Sequence, residues 1–130
     1  MEYKGSCHCG CVRFSFLSPE IKAARRCNCS LCQRRGAVLS PRYIPASDFT
    51  PHDNPDDLAV YHWNEQVLNN YFCKTCGIFT YIGDGDGNSL GYRVNLGCVE
   101  GLDLQALDIS MIDGRSLPLV PGLLDIRDHP

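Results

Sequence analysis

Apolar and polar residues alternate most clearly near the start of the chain. Val12, Phe14 and Phe16 are apolar, and single polar residues separate them. A period of two is typical of a β-strand that buries one face. We therefore predict a strand over 11–17, entered from the turn that carries the first pair of cysteines.

Strand-like stretches recur along the rest of the chain, and helical periodicity is scarce. The stretches predicted as strands are 37–44, 58–63, 67–72, 78–82 and 90–96, of which the second and third form a hairpin. Pro41 places the first of them at a sheet edge or at a break. One helical turn is predicted over 30–35. A surface loop is predicted over 45–57, which holds three prolines and four aspartates. The predicted fold is mainly β, a small set of twisted antiparallel sheets.

Length and composition favour one domain. The chain has 130 residues, which is enough for a modest core, and we predict a single domain over 1–130. No apolar run approaches the roughly 18 residues that suggest a membrane span. The first residues also lack a basic region followed by an apolar stretch. We therefore predict a cytoplasmic location and no membrane partner.

Seven of the nine cysteines fall into three clusters. The clusters are Cys7 with Cys9, Cys27 with Cys29 and Cys32, and Cys73 with Cys76. Thiolates two or three positions apart on a tight turn can point at one ion, and zinc readily accepts four sulfur ligands. Disulfides are a poorer explanation, because such close pairs close small strained rings and disulfide frameworks belong mainly to secreted chains.

The spacing divides the seven ligands into a set of four and a set of three. The middle cluster lies within six residues and can share one ion by itself, whereas the other two clusters supply two ligands each and need each other. The predicted structural zinc site is Cys7, Cys9, Cys73 and Cys76. The predicted second zinc site is Cys27, Cys29 and Cys32. Four thiolates close a site, but three leave it open to water or substrate.

The net charge bears on possible partners. It is −3 with every cysteine neutral. Seven bound thiolates subtract seven charges and two Zn²⁺ ions add four, which leaves about −6. Such a balance gives no support to generic nucleic-acid binding.

A few residues outside the zinc sites can be interpreted in more than one way. His62 is a candidate proton donor or acceptor, although a histidine on a strand face is more often packed or exposed. Cys11 and Cys98 could be extra ligands or redox thiols, but we predict them as buried small hydrophobes. We predict Tyr61 to lie in the core.

Taken together, the cysteine clusters and their neighbours resemble the glutathione-dependent formaldehyde-activating enzyme family, which also contains the centromere protein V domain. The order C-x-C, C-x-C-x-x-C and C-x-x-C-G carries the resemblance. The matching stretches are 5–10, 12–14, 27–37, 72–78, 94–96 and 113–114.

The resemblance implies a zinc-bearing β "tent" fold similar to the Mss4-like proteins. It implies that the first and third clusters hold the structural zinc and that the middle cluster holds the zinc where the sulfur of glutathione binds. The implied activity is the reversible joining of glutathione and formaldehyde into S-hydroxymethylglutathione, a carbon–sulfur lyase reaction. The implied partner is a small-molecule thiol such as glutathione.

Arginines flank the middle cluster on both sides. Arg34 and Arg35 are the predicted substrate-binding pair, since a guanidinium fork suits the carboxylates of a glutathione-like substrate. The same side chains could instead offset the charge of a thiolate–zinc site. Two other functions also fit the sequence, namely a non-catalytic zinc-binding module for protein interaction and a redox zinc protein whose thiolates are oxidised.

Overall fold

The computed structural model describes residues 1–52, 54–63, 68–84 and 91–116. Within these ranges the strands are β1 (Glu2–Ser6), β2 (Arg13–Leu17), β3 (Ala23–Cys27), β4 (Phe49–Pro51), β5 (Leu58–Trp63), β6 (Leu68–Cys73), β7 (Phe79–Asp84), β8 (Tyr92–Val94) and β9 (Asp108–Ile112). One α-helix, α1, covers Ser30–Arg35. Short 3-10 helices cover Ala46–Asp48, Pro55–Asp57, Leu96–Cys98, Leu104–Ala106 and Gly114–Ser116. These elements confirm a mainly β fold with few helices.

The strands form three sheets. β1, β2 and β4 form an antiparallel sheet, and β5 to β8 form a second antiparallel sheet in chain order. The third sheet is the parallel pair of β3 and β9, in which Cys27 is the partner of Ile112. This pair brings the end of the described chain beside the middle cysteine cluster. Among the described residues, no helix is both long and apolar enough to cross a membrane.

The hydrophobic core joins the two antiparallel sheets through β2. Phe14 and Phe16 are each 1% exposed. Phe14 stacks on Phe49 of β4 with 5.6 Å between ring centroids, and it meets the ring of Tyr81 on β7 edge-on at 5.4 Å. Because stacked and edge-on aromatic pairs add to the free energy of simple burial, this cluster fixes the two sheets against each other.

Several predicted elements are confirmed. The strand over 11–17 is β2, the helical turn over 30–35 is α1, and the hairpin is β5 with β6. The strand predicted over 78–82 is β7, and the one predicted over 90–96 contains the shorter β8.

Three expectations are wrong, and a fourth is met only in part. The stretch over 37–44 is broken at Pro41, as expected of a residue with no N–H to pair, and it is reduced to isolated bridges at Leu39 and Ile44. The surface loop over 45–57 contains β4, whose Phe49 is buried. Tyr61 is 47% exposed rather than in the core. Cys11 is exposed because it lies in the turn between β1 and β2, whereas Cys98 is half-buried against the core, as predicted.

Candidate metal centres

The first and third cysteine clusters meet in space and form a four-thiol group. The sulfur atoms of Cys7, Cys9, Cys73 and Cys76 all lie within 4.8 Å of one another. Cys9 Sγ is 3.6 Å from both Cys7 Sγ and Cys73 Sγ. Cys7 and Cys73 are buried, so the group is anchored in the core on one side and reaches the surface on the other.

Backbone N–H groups point at these sulfurs. Val12 N donates to Cys7 Sγ at 3.3 Å, and Thr75 N donates to Cys73 Sγ at 3.3 Å. The backbone N–H groups of Cys9 and Ile78 lower the pKa of Cys76 to about 6. The turn that allows this has Gly77 at a φ of 76°, where a side chain would be strained. The local backbone therefore favours the thiolate form of Cys73 and Cys76, the form that binds metal.

The middle cluster forms a separate three-thiol group where β3 ends and α1 begins. The sulfur atoms of Cys27, Cys29 and Cys32 also lie within 4.8 Å of one another. Cys29 is the N-cap of α1 and accepts a hydrogen bond from Cys32 N at 3.3 Å. Hydrogen bonds from the Cys29 and Cys32 thiols, and from the backbone N–H groups of Cys29 and Gly114, lower the pKa of Cys27 to about 2.

Both groups have the donor chemistry and the spacing of a metal site. A tetrahedron with zinc–sulfur bonds of about 2.3 Å has edges of about 3.8 Å, and the two sulfur separations of 3.6 Å in the four-thiol group are close to that value. All nine cysteines are free rather than joined in disulfides. Each group could therefore hold a metal ion, with four protein ligands in one and three in the other.

Arg35 connects the three-thiol group to the sheet of β5 to β8. Its Nη2 lies 3.6 Å from Cys32 Sγ, and its Nη1 donates to Asn70 Oδ1 at 2.8 Å. The guanidinium carbon lies 3.6 Å from the ring centroid of Phe79. Burial lowers the pKa of Arg35, and the Cys32 sulfur beside it opposes that change. Because an arginine keeps its proton at physiological pH, a positive charge is held next to the sulfur cluster. Arg35 Nε is buried without a partner in the described structure.

A second arginine near the three-thiol group was not predicted from the sequence. Arg93 on β8 is half-buried, with its guanidinium 4.6 Å from the ring centroid of Tyr43. Burial lowers the pKa of Arg93, whereas Tyr43 and, by smaller amounts, Cys27 and Cys32 raise it. Because this arginine is more than sixty residues from the cluster in sequence, no local motif could have indicated its role.

The end of the described chain forms one wall of the three-thiol group. Asn28 Nδ2 donates to Asp113 Oδ1 at 2.9 Å, and Arg115 N donates to Asn28 Oδ1 at 2.9 Å. A methyl group added at Gly114 would collide with Cys27 Sγ. This close approach explains why a glycine follows Asp113, and it lets the Gly114 N–H reach the sulfur.

A small cleft of about 250 Å³ opens beside the three-thiol group. Cys27 and Cys32 line it, together with Arg26, Gln33 and Met111. Gln33 also accepts a hydrogen bond from the Arg115 guanidinium. No histidine or carboxylate is among the described residues that line this cleft.

The structure separates the other predicted site residues from this cleft. Arg34 is exposed on α1, and its Nη1 donates to Ser30 O at 2.9 Å. His62 is exposed on β5 and pairs in register with Asn69. Its neighbour Tyr61 lines a second cleft, so His62 points to the opposite face of that sheet.

The fold and these groups define a small β protein with two cysteine centres, one of four thiols and one of three. Over residues 2–110 the chain matches the model of the family described as "Glutathione-dependent formaldehyde-activating enzyme". Since this match covers well over half of the sequence, the chain belongs to that family.

Two known proteins are similar to this chain. A Halomonas elongata protein named "Putative glutathione-dependent formaldehyde-activating enzyme" is 50% identical over 90 residues, which are 65% of this chain and 57% of the relative. The chain thus spans somewhat more than half the length of that relative. A Rhodobacter sphaeroides protein of known crystal structure is 32% identical, with a TM-score of 0.69 over 82% of this chain and 99% of its own.

Proposed function

We propose that the chain is a zinc-dependent carbon–sulfur lyase that acts on a thiol–aldehyde adduct, as an S-(hydroxymethyl)glutathione synthase does. The observation that carries this proposal is the contrast between the two cysteine centres. The four-thiol group has a full set of protein ligands, whereas the three-thiol group has one fewer and has a cleft lined by Cys27 and Cys32 beside it.

The residues that would hold the reactive zinc are Cys27, Cys29 and Cys32. Zinc bound there supplies a fourth position at which a thiol binds in its ionised form near neutral pH. The structural ion would be held by Cys7, Cys9, Cys73 and Cys76. The family name and the name of the Halomonas relative support glutathione as the thiol and formaldehyde as the aldehyde.

The cleft supplies groups that suit a peptide thiol. Arg26 can pair with a carboxylate, and the amide N–H groups of Gln33 can donate to a peptide carbonyl. Arg35 lies on the inner side of Cys32, where its charge offsets that of the thiolates. Arg34 stays a proposed carboxylate partner at the exposed face of α1.

The reaction itself needs little from the protein beyond orientation. The thiolate sulfur forms a bond to the aldehyde carbon, and the carbonyl oxygen takes up one proton to give the hydroxyl of the adduct. In the reverse direction the same carbon–sulfur bond breaks and the proton is returned. Because no histidine or carboxylate among the described residues lines the small cleft, and its cysteines are the proposed zinc ligands, we assign this proton exchange to water rather than to His62.

Cys29→Ser tests the proposal with little risk to the fold. Serine is a preferred N-cap residue, so its hydroxyl can keep the hydrogen bond from Cys32 N while the thiolate is removed. We expect two zinc ions per wild-type chain and glutathione binding by calorimetry. We expect the variant to fold, to lose zinc from one site and to lose glutathione binding.

Two results would contradict the proposal. Unchanged glutathione binding in Cys29→Ser would show that the three-thiol group is not part of the glutathione-binding site. Two zinc ions with no glutathione binding in the wild type would favour the non-catalytic interaction module instead.

A further inference from the structure

A second and larger cleft adjoins the small one. Its volume is about 530 Å³, and the two clefts share Arg26, Gly36 and Ala37 as lining residues. Arg35 lines the larger cleft and also reaches Cys32 Sγ, so one guanidinium group separates this cleft from the three-thiol group. Because the two clefts share lining residues, a ligand bound at the sulfur cluster can extend from the small cleft into the larger one.

The lining of the larger cleft is mainly apolar. Its apolar residues include Leu31, Tyr61, Phe72, Ile78, Phe79 and Leu104. Tyr61 is 47% exposed and Ile78 is 39% exposed, so two large apolar side chains that line this cleft are accessible to a ligand. Exposed apolar groups gathered in one cleft mark a binding site.

The polar groups of this cleft are mostly engaged within the protein. Arg35 Nη1 donates to Asn70 Oδ1, and Asn70 Nδ2 donates to Tyr61 O at 3.1 Å. Asn95 Nδ2 donates to Phe79 O at 2.8 Å, and Asn95 Oδ1 accepts from Gly97 N at 3.1 Å. A tripeptide with two carboxylates and an ammonium group would find few partners here, whereas an apolar group would fit.

We propose that the larger cleft holds an apolar substituent on the carbonyl carbon of the adduct. The substrate class is then the thiol adducts of aromatic or longer aliphatic aldehydes, rather than the formaldehyde adduct alone. The step is the one described above: the thiolate adds to the aldehyde carbon and the carbonyl oxygen takes one proton, with no oxidant or reductant. This inference rests on the proposed function for the position of the sulfur.

The test compares glutathione, S-methylglutathione and S-hexylglutathione by calorimetry with the zinc-loaded wild type. Each buried methylene tightens binding by roughly fourfold, so even partial burial of the hexyl chain predicts at least about tenfold tighter binding than S-methyl. Tyr61→Ser should reduce that preference by at least about threefold. Val60→Ser is the matched control, since Val60 is 41% exposed on the same strand but faces the other side of the sheet.

The outcomes separate the two proposals. If glutathione binds but S-methylglutathione and S-hexylglutathione bind with equal affinity, the proposed role of the larger cleft is wrong and the proposed function stands. An S-hexyl preference that Tyr61→Ser removes, without any glutathione binding, would support the cleft and overturn the proposed function. An equal loss of the S-hexylglutathione preference in Val60→Ser and Tyr61→Ser would contradict the proposed role of the larger cleft. If none of the three probes binds, both proposals are wrong.

Discussion

Cys9 and Cys73 lie 64 positions apart in the sequence, yet their sulfur atoms are 3.6 Å apart. The contact joins the turn between β1 and β2 to the end of β6, and therefore joins the two antiparallel sheets. A metal ion bound to this group would connect the same two sheets that Phe14, Phe49 and Tyr81 connect in the core.

Cys73→Ser should therefore unfold the protein. Cys73 is fully buried, and structural zinc in small domains supplies roughly 10–16 kcal/mol of apparent binding free energy, which is as large as the stability of most domains. We expect circular dichroism to show loss of the β fold at 25 °C, with metal analysis showing loss of the structural ion. Cys11→Ser, at an exposed cysteine of the neighbouring turn, should fold and keep both ions. A well-folded Cys73→Ser protein would contradict the assignment of the four-thiol group.

Arg35→Lys should lower the free energy of unfolding, although the charge is kept. Lysine cannot contact Asn70 Oδ1 and Cys32 Sγ with two separate nitrogens, and the buried Asn70 would lose its donor. The expected loss is about 1–3 kcal/mol, measured by urea denaturation. Arg34→Lys, one position away on the exposed side of α1, should change the value by less than about 0.5 kcal/mol. Equal effects at the two positions would show that the contacts of Arg35 do not matter.

Gly114→Ala should disturb the three-thiol group and leave the rest of the fold intact. The added methyl would collide with Cys27 Sγ, and the wall formed by the Gly114–Ser116 turn would have to move away. We expect zinc to be lost from one of two sites and glutathione affinity to fall by at least about tenfold, by metal analysis and calorimetry. Ser116→Ala, which removes only a hydrogen bond to Asp113 within the same turn, should change affinity by less than about threefold. Wild-type affinity in Gly114→Ala would place the substrate away from Cys27.

Cys98 and Cys11 should differ in their rate of thiol alkylation. Burial raises the pKa of Cys98 to about 11, so its reactive thiolate stays scarce below that pH and becomes abundant only above it. In the zinc-loaded protein at pH 8, iodoacetamide should modify the exposed Cys11 first, as read by peptide mass spectrometry. Modification of Cys98 should rise steeply as the pH approaches 11. Fast labelling of Cys98 at pH 8 would mean that its burial is not maintained in solution.

Local spacing was enough to predict the cysteine groups and the strongest strand. The ligands of each cluster lie within a few residues, and β2 alternates cleanly, so both signals are short-range. The joining of the first and third clusters also followed from counting ligands, because each pair was incomplete alone.

Features that depend on distant partners were not predictable. β4 becomes a strand because Phe49 fills the core beside Phe14, a contact that composition cannot show. The parallel pairing of β3 with β9 and the place of Arg93 beside the cluster depend on the folded topology. The alternation over 58–63 predicted a strand, but it could not show which face of the strand would be buried, so Tyr61 was assigned to the wrong side.

Because Gly114 lies late in the chain, the wall beside Cys27 is synthesised after all seven clustered cysteines. A ribosome releases the N-terminal part first, so Cys27, Cys29 and Cys32 are all free to take up metal before Cys73 has been made. The four-thiol group becomes complete only with Cys76, and the wall over Cys27 comes later still. A nascent or truncated chain that stops between residues 77 and 112 therefore carries all seven proposed ligands and lacks one wall of the three-thiol group. Metal content alone would not distinguish such a product from the finished protein.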